Sequence, residues 1–323
     1  MKRVPWKKIL VLVARIACVV AIFTLIFRKI AFPSLGQFET FAFVVGFIIA
    51  VLLNLAQSVL CTYRWRWVAL HSYQPPGFRL SFFAYLEGAF FNQALPSFVG
   101  GDTVRIVRWA ENGIPASRAA ASVLLDRVSG AWGASILALI ACVMMMGSPI
   151  EPYKLGLTAL LAAGVSVACI LVIVLTRMQF LVELAARYRR LGALAHAIGS
   201  WRPGMPGVLY LTGLGVGGQV MSGLAVCALA RGLGIDAPMA ILVSITGIIL
   251  LLSMIPVSLA GWGVREAGFI AFLVPLGVPA GSALALGLTF GLSGLAGALP
   301  GGVSILCGMA LGRRAEEKPS IGE

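Results

Sequence analysis

The chain has 323 residues, of which 59% are hydrophobic and 11% are charged, and its mean hydropathy is +0.96. Soluble domains carry roughly 45–50% apolar and about 25% charged residues, so this composition excludes a soluble globular fold. The formal net charge is +13, from 25 Lys and Arg against 12 Asp and Glu. Such a surplus in a soluble protein indicates nucleic acid as a partner. In a chain dominated by apolar segments, it indicates how the protein is oriented in a bilayer instead.

Six segments are apolar enough to span a bilayer, which takes about 20 predominantly apolar residues. The first, Ile9–Phe27, has the basic start of a signal peptide. Arg15 interrupts its middle and Phe27 is followed by Arg28, however, so we predict a retained helix rather than a cleaved segment. The other five spans are predicted at about Phe38–Leu60, Ala119–Met146, Leu155–Leu175, Gly207–Ala230 and Gly281–Leu311.

Two further apolar segments are broken by proline and glycine. The first is Leu80–Leu95, which ends at Pro96; the second is Ala237–Ile255, which ends at Pro256 and is followed by Val264–Leu276. Segments of this kind are typical of re-entrant helices. We therefore predict an all-α polytopic membrane protein with about six spanning helices plus two re-entrant helical hairpins. The alternative is eight spans, in which 237–276 crosses the membrane twice.

The basic residues predict the orientation of these spans. If the N-terminus is cytoplasmic and both broken segments re-enter, 18 of the 25 basic residues fall on the cytoplasmic side. Both termini are then cytoplasmic, and residues 177–206 form a cytosolic interfacial segment. The cytoplasmic set is Lys2, Arg3, Lys7, Lys8, Arg64, Arg66, Arg79, Arg105, Arg108, Arg118, Arg177, Arg187, Arg189, Arg190, Arg202, Arg313, Arg314 and Lys318.

The two broken segments resemble each other. Residues 95–105 read LPSFVGGDTVR and align without a gap with residues 255–265, IPVSLAGWGVR. The spans before them are separated by two other spans, so they run in opposite directions. This pattern predicts an inverted repeat within a single membrane domain of residues 1–323, with halves at 38–146 and 207–311. The alternative is two unrelated Pro-Gly turns.

Each break frees backbone groups that must be satisfied within protein or by a water-filled cavity. Proline ends a helix, and glycine allows a turn or a close backbone approach. The half-helix after each break directs its N-terminus at that cavity, where an anionic headgroup is a natural occupant. The predicted turn and half-helix residues are Pro96, Gly100, Gly101, Pro256, Gly261 and Gly263.

Charged and amide residues near the breaks are the candidate headgroup ligands. A charge near the bilayer centre costs about 2.5–3.5 kcal/mol, so such residues usually face a cavity and have partners. The candidates are Glu87, Asn92, Gln93, Asp102, Arg105, Asp126, Arg127, Arg265 and Glu266. The alternative is that such charges form structural ion pairs or snorkel to the interface, which we favour for Arg15, Arg108 and Arg118.

Spacing makes two of these pairs informative. Asp102 and Arg105 are three residues apart and share a helix face if the helix opens near Asp102, which can also cap it. The neighbours Asp126 and Arg127 project differently, so we expect each to meet a separate partner. Pairing of Arg127 or Arg265 with Glu87 or Asp102 stays open.

The six cysteines include no C-x-x-C pair, and the two histidines, His71 and His196, are far apart in sequence. We therefore expect no metal, no disulfide framework and no cofactor.

Three motifs in order carry a resemblance to a known family. They are Leu95-Pro96 through Gly100-Gly101-Asp102 to Arg105, then Ser122-Val123-Leu124-Leu125-Asp126-Arg127, then Pro256 through Gly263-Val264-Arg265-Glu266-Ala267. With them the chain resembles, over nearly its whole length, the lysylphosphatidylglycerol synthase transmembrane-region family of flippase-like integral membrane domains. Fused members add a cytosolic domain that makes lysyl-phosphatidylglycerol. The resemblance implies a stand-alone member without that synthase domain, in the bacterial inner membrane.

These observations predict a lipid translocator of flippase type, not an enzyme. A headgroup would enter a polar cavity between the hairpins, where the candidate arginines attract phosphate and the acids balance them or bind a cationic headgroup. The resemblance implies an anionic or aminoacylated phospholipid, or a polyprenyl- or hopanoid-type lipid, as partner, together with a separate lipid-synthesising enzyme; we expect no nucleic acid. The alternatives are a lipid-modifying membrane enzyme, such as a lipid-linked glycosyltransferase using Asp102 and Glu266, or a non-transporting partner of a synthase.

Overall fold

A computed structural model describes residues 40–94, 98–178, 192–254 and 261–316, together with Thr24 and Phe38. Within these ranges all regular structure is helical and no strand is present. The helices are α1 (Phe41–Leu70), α2 (Phe78–Ala94), α3 (Phe98–Glu111), α4 (Ala116–Met144), α5 (Pro152–Arg177), α6 (Gly192–Gly199), α7 (Met205–Gly232), α8 (Met239–Ser253), α9 (Val264–Leu273) with the 3-10 turn Val274–Leu276, and α10 (Ala280–Glu316).

Five of these helices are long and apolar enough to cross a membrane: α1, α4, α7, Pro152–Leu175 of α5 and Ala280–Leu306 of α10. They correspond to the last five predicted spans, and the first, Ile9–Phe27, lies outside the described residues. The protein is thus an all-α polytopic membrane protein, as predicted. Helix α5 lies at the periphery, because it packs mainly against α4 and only 17% of its most apolar stretch is buried.

Each broken segment forms a pair of short helices that pack on each other, α2 with α3 and α8 with α9. Helix α9 begins at Val264, where the sequence placed it. Helix α3, however, begins at Phe98, so Asp102 lies inside the helix and does not cap it, contrary to prediction. Pro96 and Pro256 lie outside the described residues. That the pairs re-enter from one side stays a prediction.

Helices α1 and α7 run antiparallel in close contact. Near the start of α1, a Cβ added to Gly46 would lie 2.5 Å from the carbonyl oxygen of Ala228, near the end of α7. At the opposite ends, a Cβ on Gly207 would lie 2.8 Å from the indole of Trp67. This is the opposite course that an inverted repeat requires, although the half boundaries at 38–146 and 207–311 stay a prediction.

Helices α1–α4 form a first set and helices α7–α10 a second set. Contacts between these two sets occur in matching pairs. Helix α2 packs on α10, and α8 packs on α4, so each hairpin lies against the last helix of the other set. The amide of Asn54 in α1 donates to Ser293 Oγ in α10 at 3.1 Å. The amide of Gln219 in α7 donates to the Gly130 carbonyl in α4 at 3.2 Å. The two sets therefore interlock, and the hairpins face each other across the interface.

Candidate functional site

A cavity of about 280 Å³ lies where α1–α4 and α7–α10 meet. Both hairpins line it, and its polar side chains are Asn54, Gln57, Arg64, Tyr85, Asn92, Gln93, Arg105, Asp126, Arg127, Gln219, Ser222, Ser253 and Arg265. Among the described residues, four arginines and one aspartate line it directly, so this part of its surface is predominantly positive.

Five charged side chains form one continuous chain beside this cavity. Asp126 accepts at 2.8 Å from Arg64 Nε and at 2.8 Å from Arg105 Nη2. Nη1 of Arg105 also lies 3.7 Å from Asp102 Oδ1. Asp102 in turn accepts from Arg127 Nη2 at 2.8 Å and from its Nε at 3.0 and 3.1 Å. The order is cation, anion, cation, anion, cation, which leaves one positive charge in excess.

This chain of charges runs from a closed interior toward a more open end. The Arg64, Arg105 and Asp126 side chains are at most 6% exposed, whereas Asp102 is 22% and Arg127 37% exposed. Asp126 lies ten residues after the start of α4, or about 15 Å along the helix at 1.5 Å per residue. For a helix that enters the hydrocarbon core at its first residue, this is near the middle of a core of about 30 Å, where charges are retained when they are paired or line a cavity.

Aromatic rings fix the orientation of Arg105. Its guanidinium lies 4.1 Å from the ring centroid of Trp65 and 4.8 Å from that of Tyr85. Trp65 stacks on Trp109 at 3.8 Å and donates to Ser122 Oγ at 3.0 Å. Such cation–π contacts strengthen when they are desolvated, so Arg105 is held in one geometry.

Three buried polar atoms bordering the cavity have no hydrogen-bond partner within the described ranges: Arg105 Nε, Gln93 Oε1 and Gln219 Oε1. The orientation of the Gln219 amide is set by its bond to Gly130. An unmet buried group costs about 1–3 kcal/mol, and it commonly indicates water or a ligand. The site therefore offers both a donor and acceptors to a polar molecule.

The second hairpin contributes a self-contained ion pair. Arg265 donates to Glu266 Oε1 from Nε at 3.0 Å and from Nη2 at 2.8 Å. Glu266 Oε2 accepts from the Gly263 N–H at 2.5 Å at the start of α9. Arg265 lines the cavity, and its guanidinium lies 4.5 Å from the ring centroid of Trp262, whereas Glu266 is fully buried behind it. The pair adds no net charge.

Most predicted site residues gather at this cavity. Asn92, Gln93, Arg105, Asp126, Arg127 and Arg265 line it, while Asp102 and Glu266 contact it through their arginines. As predicted, Asp126 and Arg127 have separate partners, and of the open pairings the structure forms Arg127 with Asp102.

The predicted glycines take part through the backbone. Gly101 lies in α3, and its N–H donates to Asn92 Oδ1 at 3.2 Å. Gly261 lines the cavity with a φ of +81°, and Gly263 precedes α9 with a φ of +86°. Gly100 is in the first turn of α3.

Glu87 lies outside the cavity lining, and its role as a headgroup ligand stays a prediction. It is 3% exposed and accepts from Arg108 Nε at 2.5 Å and Nη2 at 3.0 Å. Ser304 of α10 also donates to it at 2.5 Å. Glu87 and Arg108 therefore form an ion pair that joins α2, α3 and α10, the structural role that we favoured for Arg108.

Arg64 is the main cavity residue that the sequence did not predict. We placed Arg64 and Arg105 among the cytoplasmic charges, but both are buried beside Asp126. The reason is that α1 continues to Leu70, ten residues beyond the predicted end, so Arg64 projects inward from a helix. A signal existed, because Asn54, Gln57 and Arg64 recur at helical spacing on one face of an apolar segment.

A family model described as the lysylphosphatidylglycerol synthase TM region matches residues 10–301. The chain belongs to this family. The matched region contains every residue that lines the cavity, and it confirms the resemblance that the three sequence motifs carry. Comparison with curated proteins and with solved structures finds no match.

Proposed function

We propose that the protein is a flippase-like translocator that moves a phospholipid, or another lipid with a polar headgroup, between leaflets through the central cavity. The observation that carries this proposal is the excess positive charge of the chain Arg64–Asp126–Arg105–Asp102–Arg127. We place the protein in a bacterial inner membrane with both termini cytoplasmic, as the distribution of basic residues favours. The chemistry is transport, not catalysis.

A lipid phosphate suits this charge. An uncompensated charge in a low-dielectric interior costs several kcal/mol, and a bound anion removes that cost. Arginines bind phosphate oxygens through charge-assisted hydrogen bonds, and four arginines line the cavity. The amides of Asn54, Asn92 and Gln219 add neutral partners for hydroxyl or amine groups of the headgroup.

The fold supports movement of that headgroup across the membrane. Paired broken helices from two halves that run in opposite directions are typical of transporters, in which access alternates around a fixed midplane site. The headgroup would stay in the polar cavity while the acyl chains stay in lipid.

A second candidate is a non-transporting membrane partner of a lipid-synthesising enzyme. The family description favours it, because it names a synthase of which such a region is part. Stable copurification of a synthase with the protein, together with no translocation by the purified protein, would support this candidate over transport.

The proposed function is tested with purified protein in vesicles that contain a fluorescent phosphatidylglycerol, whose outer-leaflet fraction is read with an impermeant quencher. Arg64→Gln leaves two arginines and two aspartates in the chain, which becomes neutral. We expect at least a tenfold loss in translocation rate, which is about 1.4 kcal/mol of activation free energy. The matched control is Arg79→Gln, because Arg79 is exposed and lies outside the cavity lining.

Both variants must first elute as single species, and the assay is run well below the lower of their two thermal midpoints. Translocation by Arg64→Gln at the wild-type rate would contradict the proposed role of the excess charge. Absence of translocation by the wild-type protein, for every lipid tried, would contradict the function itself.

A further inference from the structure

A second, apolar space lies next to the polar cavity. It is a groove of about 420 Å³ between α4 and α5. Its sides are formed by Val128, Ala131, Val165, Ala168, Cys169 and Val172. The ion pair Asp102–Arg127 and Met254 also line it.

Arg127 and Met254 line both the groove and the cavity. These two side chains therefore stand between the polar space and the apolar one. Arg127 is the most exposed cation of the five-residue chain at 37%, whereas Arg64 and Arg105 are nearly closed off. A cation with this exposure beside an apolar groove complements a molecule that has an anionic group at one end and hydrocarbon at the other.

The groove opens toward the bilayer. Helix α5 forms one side of it and lies at the periphery, with Val167 63% and Leu171 53% exposed on its outer face. Because the protein spans the membrane, the solvent at that face is lipid hydrocarbon. A phospholipid carries an anionic phosphate at one end and hydrocarbon at the other, so its acyl chain is the occupant to which the surroundings point.

We infer that the groove binds one acyl chain of a phospholipid whose phosphate is bound by Arg127 on the cavity side, which makes the α4–α5 groove the lateral entry for the lipid. This inference rests on the proposed function and names the route to its site. Arg127 exchanges Asp102 for the lipid phosphate as the lipid enters.

The charge chain makes that exchange feasible. When Arg127 turns to phosphate, Asp102 keeps Arg105 as a cation, at 3.7 Å in the present arrangement. The carboxylate is therefore never left buried without a cation, which would otherwise cost about 3–5 kcal/mol. Arg105 itself stays anchored by Asp126 and the Trp65 ring. The ion pair at the groove can thus open while the interior of the chain stays fixed.

The test is photo-crosslinking in vesicles of phosphatidylglycerol that contain a trace of the same lipid with a diazirine on one acyl chain. Adducts are located by mass spectrometry of peptides. We expect them to concentrate on Ala131, Val165, Ala168 and Val172. Ala168→Trp fills the groove and is expected to lose these adducts at least tenfold, together with translocation. The matched control is Ala163→Trp, since Ala163 is also exposed on α5 but does not line the groove.

The outcomes separate this inference from the proposed function. Adducts that spread evenly over Val167, Leu171 and the groove, with Ala168→Trp as active as Ala163→Trp, would overturn the groove as an acyl-chain site. Translocation by the wild-type protein would still support the proposed function in that case. Groove adducts that Ala168→Trp removes, in a protein that translocates no lipid, would support the acyl-chain site and overturn the function. If Ala163→Trp also lost both the groove adducts and translocation, the conclusion that the groove itself is required would be overturned.

Discussion

The two hairpins occupy matching places in the fold but handle charge differently. Arg105 in the first and Arg265 in the second both line the cavity, and each lies over an aromatic ring. The carboxylate partner of Arg105 is Asp126 on α4, a separate spanning helix. The carboxylate partner of Arg265 is its own neighbour, Glu266. The first hairpin is therefore tied by charge to the rest of the protein, while the second is electrically self-contained.

The surroundings explain this division. The second hairpin is set in the largest apolar core, in which Ile245 of α8 and Phe269 of α9 are fully buried. An ion pair closed on itself is the arrangement that an apolar setting tolerates. The first hairpin lies against the polar face of α1 that carries Arg64. The excess charge, and with it the proposed anion site, therefore lies on the side of the first hairpin, where Asp102 and Arg105 of α3 join Arg64 of α1 and the Asp126–Arg127 pair of α4.

The largest expected effect follows from removing the shared carboxylate. Asp126→Asn leaves Arg64 buried without an anion and Arg105 with only Asp102, at 3.7 Å, which should cost about 5 kcal/mol in stability, the upper end for a broken buried ion pair. Glu266→Gln leaves one buried arginine, Arg265, without its carboxylate and keeps an oxygen for the Gly263 N–H, so its cost should be about 3 kcal/mol, the low end of the same range. Thermal midpoints of the purified proteins in one detergent give the comparison.

The double variant Arg64→Gln/Asp126→Asn is the control for that prediction, because it removes one buried cation with the shared anion. It should be more stable than Asp126→Asn alone. Equal midpoints for Asp126→Asn and Glu266→Gln would show that the two hairpins do not differ in the way described above.

A second contrast concerns the aligned glycines Gly101 and Gly261. A Cβ at Gly101 would collide with the carbonyl oxygen of Gly88, so glycine is needed there for the close approach of α3 to α2. Gly261 has a φ of +81° and only a side-chain atom of Ser253 within 3.2 Å, so glycine is needed there for its backbone conformation.

Gly101→Ala should therefore cost about 3 kcal/mol, the upper end for overpacking. Gly261→Ala should cost about 1–2 kcal/mol, the strain of a left-handed residue. Thermal midpoints show which variant loses more stability. Gly261→Asn distinguishes backbone strain from steric overlap, because asparagine tolerates a positive φ and should recover part of the loss. A larger loss in Gly261→Ala than in Gly101→Ala would contradict the two distinct reasons.

The spans, the hairpins and most of the cavity residues could be predicted from the sequence. The features that could not be predicted were missed for physical reasons. Hydropathy located the spans because a bilayer demands long apolar helices. The Pro-Gly breaks located the hairpins, and the adjacency of Asp126 and Arg127 indicated two separate partners. The inward turn of Arg64 was missed because a Tyr-Arg-Trp-Arg-Trp run looks interfacial, whereas the burial of Arg64 depends on Asp126, 62 residues away in sequence.

The sequence could not show which of the two acids, Glu87 or Asp126, lies at the cavity. Both are acids in apolar segments, and their sequence neighbourhoods gave no reason to separate them. What separates them is packing: α10 lies against α2 and brings Ser304 to Glu87, which closes that carboxylate off with Arg108. Long-range contacts of this kind are set by helix packing, which composition and spacing do not encode directly.

The smallest expected effect on stability tests whether Glu87 has a structural role separate from the cavity. Ser304→Ala removes one hydrogen bond to Glu87, which keeps both bonds from Arg108, so stability should fall by about 1 kcal/mol. Because Glu87 and Ser304 lie outside the cavity lining, lipid translocation should be unchanged. Ser222→Ala is the matched control, since Ser222 does line the cavity, and it should alter translocation more than Ser304→Ala does. A Ser304→Ala protein that keeps its thermal midpoint but loses translocation would return Glu87 to the headgroup site.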